Sequence, residues 1–286
     1  MSESSALMKG KVVIVTGGTS GIGKVTAFGL ARKGADLILV GHNDERLRTA
    51  CEEIRRTTGN NAVQPMLCDL SSLEEVRRLA GEFMEKHDRL DVLVNNAGLI
   101  LRNRKSTVDG YEYTFALDHL APFLLTNLLL DELMRAAPSR VVTVSSGAHF
   151  RGRIHFDDLM LENEWTPDKA YSQAKLANVL FTYELARRLE GTGITANCLH
   201  PGTVRTNFGQ DFRGAFRIGI ALFRLFMISP EKGGRTSIYL ASSPEVDGVS
   251  GKYFFKCRPS QSSQESYNLD EAKRLWEESE RLTSLK

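Results

Sequence analysis

Val12-Val13-Ile14-Val15-Thr16-Gly17-Gly18-Thr19-Ser20-Gly21-Ile22-Gly23 is a β-branched apolar run followed at once by a glycine-rich turn, and helical periodicity begins at its last residues. Each glycine has a physical use there. Gly17 makes a tight turn, Gly21 lets backbone approach a phosphate with no Cβ in the way, and Gly23 lets helix and strand pack closely. An anion at this turn would meet the unpaired N–H groups and positive dipole end of the helix. Gly17, Thr19, Ser20, Gly21, Ile22 and Gly23 are therefore candidate contacts for a dinucleotide pyrophosphate. The spacing alone is weak, and a purely structural glycine turn is the competing reading.

Further along the chain the same alternation repeats. Short apolar runs at 37–40, 92–94, 141–144 and 194–199, with a weaker one at 63–67, read as strands. Between them, residues 44–57, 73–86, 110–135 and 170–190 carry helical periodicity, as do 22–32 after the first strand. Strand then helix, repeated, predicts an α/β fold: a Rossmann-type doubly wound parallel sheet with helices on both faces, three layers in one domain. Ligands of such sheets bind beyond the carboxyl ends of the strands. The last third departs from the rhythm. Residues 208–228 are rich in Phe, Ile and Leu with no strand before them, and read as a helical flap over substrate. A helix over 230–241, a strand over 252–255 and a charged amphipathic helix over 269–282 complete the expected elements.

Composition narrows the classes. In 286 residues, 42% hydrophobic and 25% charged content with 24 Gly and 8 Pro fit a globular domain and exclude collagen-like or disordered chains. Lys and Arg number 37 against 35 Asp and Glu, a balance unlike the one-sided basic field of a nucleic-acid binder, so no nucleic-acid partner is expected. Residues 1–9 lack the apolar stretch of a secretory signal, and the longest apolar-rich stretch, 218–228, is too short to span a bilayer. The four cysteines and six histidines form no Cys-x-x-Cys or His-Glu-x-x-His spacing. No metal site is expected, and scattered thiols point to a reducing, cytoplasmic setting.

A second dinucleotide signal is the end of the second strand, Val40-Gly41-His42-Asn43. An acidic residue at this point would accept bonds from the adenosine ribose and repel a 2′-phosphate, and none is present. NADP is therefore the expected cofactor, with NAD as the alternative. His42 and Asn43 are candidate phosphate contacts, although Asn43 is equally placed to cap the helix that begins at Asp44.

Tyr171-Ser172-Gln173-Ala174-Lys175 puts a phenol and an ammonium four residues apart on one helical face. An ammonium about 4 Å from a phenol, at an effective dielectric near 20, supplies about 4 kcal/mol, enough to lower its pKa by roughly three units. Such a phenol exchanges a proton with a carbonyl or alcohol oxygen. Upstream, the strand over 141–144 runs into Ser145-Ser146, where a hydroxyl can orient that oxygen, though paired serines at a strand end also simply form turns.

Taken together, these motifs resemble the short-chain dehydrogenase/reductase family over residues 11–255. The matching residues are 16–23, Asp69, Asn95-Asn96-Ala97-Gly98, Ser146, Tyr171-x-x-x-Lys175 and His200-Pro201-Gly202-Thr203-Val204-Arg205-Thr206. The residues 144–149, 171–184 and 200–204 are similar to the retinol dehydrogenase-like branch. The resemblance implies that Tyr171 is the acid/base, Lys175 lowers its pKa and holds the nicotinamide ribose, and Ser146 positions the reacting oxygen. It places Asp69 and Leu70 by the adenine, Asn95, Ala97 and Gly98 along the cofactor cleft, and Pro201, Val204 and Thr206 at the carboxamide. Hydride then passes between the nicotinamide and a carbinol or carbonyl carbon.

Two positions depart from the family pattern. Where the family carries an asparagine in its proton relay, this chain reads Ala116-Leu117-Asp118-His119-Leu120, and an ionised Asp118 would raise the phenol's pKa. Where relatives preferring NADP carry arginine, this chain has His42. The expected substrate is a small hydrophobic alcohol, aldehyde or ketone, selected by residues 99–104 and by the 208–228 segment, where Phe212, Phe216, Leu222, Phe223, Phe226 and Met227 would line a lid. Packing, dimerisation or membrane contact of that segment is the competing reading. The alternative function is a dinucleotide-binding sensor or scaffold without turnover, motivated by Asp118. Sugar-nucleotide epimerisation is disfavoured by the short region after Gly202. The resemblance implies that the helices over 110–135 and 170–190 could form a four-helix dimer seam, with a homodimer or homotetramer as the possible assembly.

Overall fold

The computed structural model describes residues 7–202 and 229–285. The strands are β1 (Val12–Thr16), β2 (Asp36–Gly41), β3 (Val63–Leu67), β4 (Val92–Asn95), β5 (Ser139–Val144), β6 (Ile194–Leu199), β7 (Lys252–Phe255) and β8 (Arg258–Ser260). They form one sheet in the order β3-β2-β1-β4-β5-β6-β7-β8. Every neighbouring pair is parallel except β7 and β8. The chain reverses its winding between β1 and β4, which puts a crevice at the carboxyl ends of those two strands.

Alternation along the strands builds two cores. Val13, Val15, Leu37, Leu39, Val92 and Val94 face α1 (Gly21–Arg32) and α2 (Asp44–Thr58), with Leu240 and Ala241 of the helix Pro230–Ser242 on the same side. Val12, Ile14, Ile38, Val40 and Leu93 face α3 (Leu73–Lys86), the helical stretch 113–135 and the helix Pro167–Arg188. A side-chain period of two on buried parallel strands yields the three expected layers.

Two features differ from the sequence reading, and a third bears on the expected assembly. First, the stretch expected as one helix is broken into Tyr113–Phe115, a π-turn Ala116–Leu120, then Ala121–Leu128 and Leu130–Arg135. Ala121 N–H reaches back to Ala116 O, and Pro122 has no N–H to give the Asp118 carbonyl, so the wide turn falls just ahead of the proline. Second, β8 was not anticipated: Arg258-Pro259-Ser260 has no apolar alternation, and Pro259 is tolerated because the strand is at an edge. Its hairpin turn uses Lys256 and Cys257 at φ 50 and 60, left-handed positions without the usual Gly or Asn signal. Third, the C-terminal helix Leu269–Thr283 lies across the pair expected as a dimer seam. Trp276 sits 4.9 Å from the Phe123 ring and 5.8 Å from that of Phe181, with the Arg188 guanidinium 4.2 Å over its outer side.

Residues 208–228, including the expected flap, lie outside the described residues. Among the described residues no helix is long and apolar enough to cross a membrane, and no group of His, Cys, Asp and Glu side chains could hold a metal ion.

Candidate active site

The glycine turn is held from both sides by the next strand ends. Thr16 Oγ1 accepts from the N–H groups of Asn96 (3.0 Å) and Ala97 (3.1 Å), and Asn96 Nδ2 donates to Thr16 O at 2.8 Å. Gly17 and Gly21 sit at φ 66 and 54, the left-handed region. A Cβ on Gly17 would lie 2.9 Å from Ala97 Cα, and one on Gly23 would lie 2.3 Å from Gly17 O. Ser20 precedes α1 in an extended conformation, makes no capping bond with its side chain, and no acidic residue occupies the first turn. The helix end therefore keeps its N–H groups for an anion, with Thr19 and Ile22 half-buried beside it. This backbone cradle fits a pyrophosphate.

Around it the remaining candidate contacts sort unevenly. His42 is exposed just beyond β2. Asn43 Oδ1 accepts from Arg46 N–H at 2.9 Å, so its carbonyl caps α2. Asp69 follows β3, exposed, with one oxygen accepting from Ser71 N–H and Oγ. Leu70 is buried in the core, and its side chain faces an internal cavity with Thr16, Asn95, Ala97 and Leu117. Asn95 shares the parity of Leu93, and its Nδ2 donates to Thr126 Oγ1 at 2.9 Å. The asparagine that reaches the glycine turn is Asn96, and Ala97 and Gly98 follow it at the cleft. Pro201 is half-buried after β6, where Gly202 N–H donates to His200 Nδ1 at 3.0 Å. Val204 and Thr206 lie outside the described residues.

The catalytic candidates do converge. Ser146 follows β5; its hydroxyl accepts from Ala148 N–H at 3.2 Å and hydrogen-bonds to the Tyr171 phenol. Lys175 Nζ is 5.4 Å from the centre of the Tyr171 ring. The same ammonium pairs with Asp118 Oδ2 at 3.0 Å and donates to Val144 O at 3.4 Å. Asp118 Oδ1 accepts from Leu99 N–H at 2.9 Å. Gly98 closes the site from above, since a Cβ there would lie 2.8 Å from Lys175 Nζ and 2.9 Å from Asp118 Oδ2.

Electrostatics correct one expectation. Burial lifts the Tyr171 phenol above its ordinary value; Lys175 and Ser146 pull it down, Asp118 pushes it up, and the net direction is upward rather than toward neutrality. Burial pulls the Lys175 ammonium down, but Asp118 and Tyr171 together raise it. Burial raises Asp118, against the pull of Lys175 and the Leu99 N–H.

Ser145, named beside Ser146 in the sequence, takes a supporting place, and His149 joins it. Ser145 Oγ donates to Lys175 O at 2.7 Å, tying the end of β5 to the catalytic helix. His149 Nδ1 bonds Ser146 O at 2.6 Å, and its Nε2 accepts from Ser263 N–H at 3.1 Å, so the ring is held neutral between Ser146 and the C-terminal segment. Burial lowers its pKa accordingly. Strand alternation is the signal that separates Asn96 from Asn95 and Ser145 from Ser146; no local pattern announces the role of His149.

A parallel sheet with a glycine cradle at its switch point and a Ser, Tyr and Lys cluster beside it defines a dinucleotide-dependent oxidoreductase. Comparison with known proteins gives the family. Residues 11–215 match the short chain dehydrogenase family. Human retinol dehydrogenase 13 is 44% identical over 288 residues, 99% of this chain and 87% of the relative, and human retinol dehydrogenase 14 is 44% identical over 98% and 88%. Among solved structures, an uncharacterized protein from Mycobacterium paratuberculosis superposes with TM-score 0.79 at 35% identity, covering 96% of this chain and 94% of that one. A Pseudomonas aeruginosa RhlG complex with NADP gives TM-score 0.70 at 26% identity over 89% and 97%. The chain belongs to the short-chain dehydrogenase/reductase family, in its retinol dehydrogenase-like branch.

Proposed function

We propose that the protein is an NADP-linked oxidoreductase acting on a hydrophobic alcohol, aldehyde or ketone, with Tyr171 as acid/base. The observation that carries this reading is the phenol of Tyr171 bonded to Ser146 and faced by Lys175, next to a turn that keeps its backbone open for phosphates. When bound, the nicotinamide supplies or accepts the hydride. The residues of this chain do the rest. Ser146 and Tyr171 together bond the substrate oxygen, Tyr171 gives or takes its proton, and Lys175 holds a ribose hydroxyl. The turn from Gly17 to Gly23 would hold the pyrophosphate and Asp69 the adenine side.

NADP rather than NAD is supported by the absence of any acid at Gly41-His42-Asn43 and by the NADP complex of a structural relative. Hydrophobic substrates are supported by similarity to proteins named retinol dehydrogenases and to human polyprenol dehydrogenase, 40% identical. A cytoplasmic setting is supported by four unpaired thiols, of which Cys51, Cys68 and Cys198 are buried. As to assembly, helix Leu269–Thr283 covers the apolar faces of 121–128 and 167–188, and we propose that the chain does not pair with a second copy through them.

Purified protein given NADPH and a panel of apolar aldehydes and ketones tests the reading. Oxidation of NADPH with at least one of them, several-fold faster than with NADH, is expected. Nucleotide binding without oxidation across the panel, unchanged in Asp118→Asn, would instead identify a sensor.

A further inference from the structure

The ion pair beneath Gly98 is not explained by cofactor binding or by hydride transfer. Asp118 has 0% and Lys175 3% of its side chain exposed, yet their charged atoms are 3.0 Å apart. The geometry is constrained on every side. Leu99 N–H fixes one carboxylate oxygen, Gly98 leaves room for nothing larger than hydrogen above the pair, and the π-turn at 116–120 carries Asp118. A π-turn inside a helix is often found at a functional site. An uncharged amide would accept the same Leu99 bond, so the position needs a carboxylate only if its charge matters.

Among the described residues, the other charges around the phenol are already committed. Arg151 is paired with Asp168, and Glu112 accepts from Phe115 N–H and Trp165 Nε1. His149 is neutral between Ser146 and Ser263, and His119, next to Asp118, turns the other way to bond Ser279 Oγ at 2.9 Å. Asp118 is thus the group placed to offset the ammonium. A cation and an anion in contact act on a third group as a dipole, whose field is far weaker than that of the cation alone.

We propose that Asp118 is the counter-ion of Lys175 and that the pair withholds the ammonium's charge from Tyr171, leaving the site a proton donor to carbonyl oxygens through the whole neutral range. This rests on the oxidoreductase reading above and adds a working direction to it. In reduction the carbonyl π bond breaks, the carbon gains the hydride that reduced nicotinamide supplies, and the oxygen takes the Tyr171 proton. The phenolate then recovers a proton from water. For the reverse step the phenol must first be ionised, so alcohol oxidation is expected to climb steadily with pH while aldehyde reduction stays flat. Both profiles share one break, because catalysis cannot move the equilibrium.

The decisive comparison is Asp118→Asn against the wild-type protein. Ionisation of Tyr171 is read by phenolate absorbance in the free protein, after subtraction of Tyr171→Phe. It should move toward neutrality by at least about one pH unit, a tenfold change in proton affinity. The break in both pH profiles should move with it. An unmoved titration with turnover intact would overturn the counter-ion role. If no variant turns over any substrate, the oxidoreductase reading fails while the titration still decides the electrostatic one. Should the uncompensated ammonium prevent Asp118→Asn from folding, Asp118→Asn combined with Lys175→Met removes both charges. Its phenol should titrate close to the wild-type value, and a rise of more than about one unit would overturn the proposal.

Discussion

The two ends of the cleft are built on opposite principles. At the glycine turn the working parts are backbone N–H groups, and residues 16–23 succeed by lacking side chains: a Cβ on Gly17 or Gly23 would strike backbone of the neighbouring loop or of the turn itself. At the chemical end, the side chains of residues 118 and 175, buried, meet those of 146 and 171, half-buried, and their charges act on one another's proton affinity. The first arrangement is written in one stretch of chain and braced by Asn96 and Ala97. The second exists only once the sheet and three helical stretches have assembled.

That contrast predicts different failures. Tyr171→Phe removes the proton donor without touching the cradle, so aldehyde reduction should fall by about 10²–10⁴-fold while NADPH affinity, measured by fluorescence titration, changes little. Equal losses in both would mean that the two ends are not separable. A second contrast lies within the π-turn, where Asp118 is buried against the Lys175 ammonium and its neighbour His119 is buried against Ser279 Oγ. Burial lowers His119 from 6.5 to about 4. The unfolded chain therefore takes up a proton that the folded one refuses: the stability is fully present above about pH 6.5 and is lost as pH falls toward 4, about 3 kcal/mol in all. Denaturant unfolding at about pH 7 and about pH 4.5 should show His119→Gln losing less on acidification than the wild-type protein. An equal loss would place the acid sensitivity elsewhere, with His200, also lowered to about 4, the next group to replace.

Two glycine substitutions sharpen the comparison at lower cost. Gly17→Ala forces a Cβ into a left-handed residue at φ 66 and against Ala97 Cα, which should cost about 1–2 kcal/mol of stability and weaken nucleotide binding. Gly98→Ala meets side-chain ends instead, Lys175 Nζ and Asp118 Oδ2, and should disturb the pH profile more than nucleotide affinity. Calorimetry of nucleotide binding beside a pH series separates the two outcomes.

The same contrast explains how much could be read before the structure. Local patterns carried the strand and helix order, the glycine turn and the Tyr171–Lys175 spacing, because each is a statement about residues a few positions apart. The π-turn depends on Pro122 interrupting a helix that otherwise has perfect periodicity, and β8 on a two-residue turn made by Lys256 and Cys257 against their preference. Asn95 and Asn96 are adjacent and identical, and only the parity of β4 decides which one faces the crevice. The net direction of the phenol's pKa is hidden for a related reason: spacing shows that Lys175 is near, but not how deeply the folded chain buries the phenol, and burial is the largest influence on it.

The smallest effect tests the most local ambiguity, His42 beside Asn43. Both lie at the adenosine end of the cradle, and either could meet a 2′-phosphate. Asn43 spends its carbonyl oxygen on the Arg46 N–H, so Asn43→Ala should cost about 1 kcal/mol of thermal or denaturant stability and leave the NADPH to NADH preference where it was. His42 makes no such commitment and stands exposed at the end of β2. His42→Ala should leave stability unchanged and lower the preference for NADPH, while His42→Arg, which offers two fixed N–H donors to a phosphate, should raise it about tenfold. If Asn43→Ala shifts the preference and the His42 variants do not, then the phosphate is read by the first turn of α2, and the cradle extends one residue further than its glycines indicate.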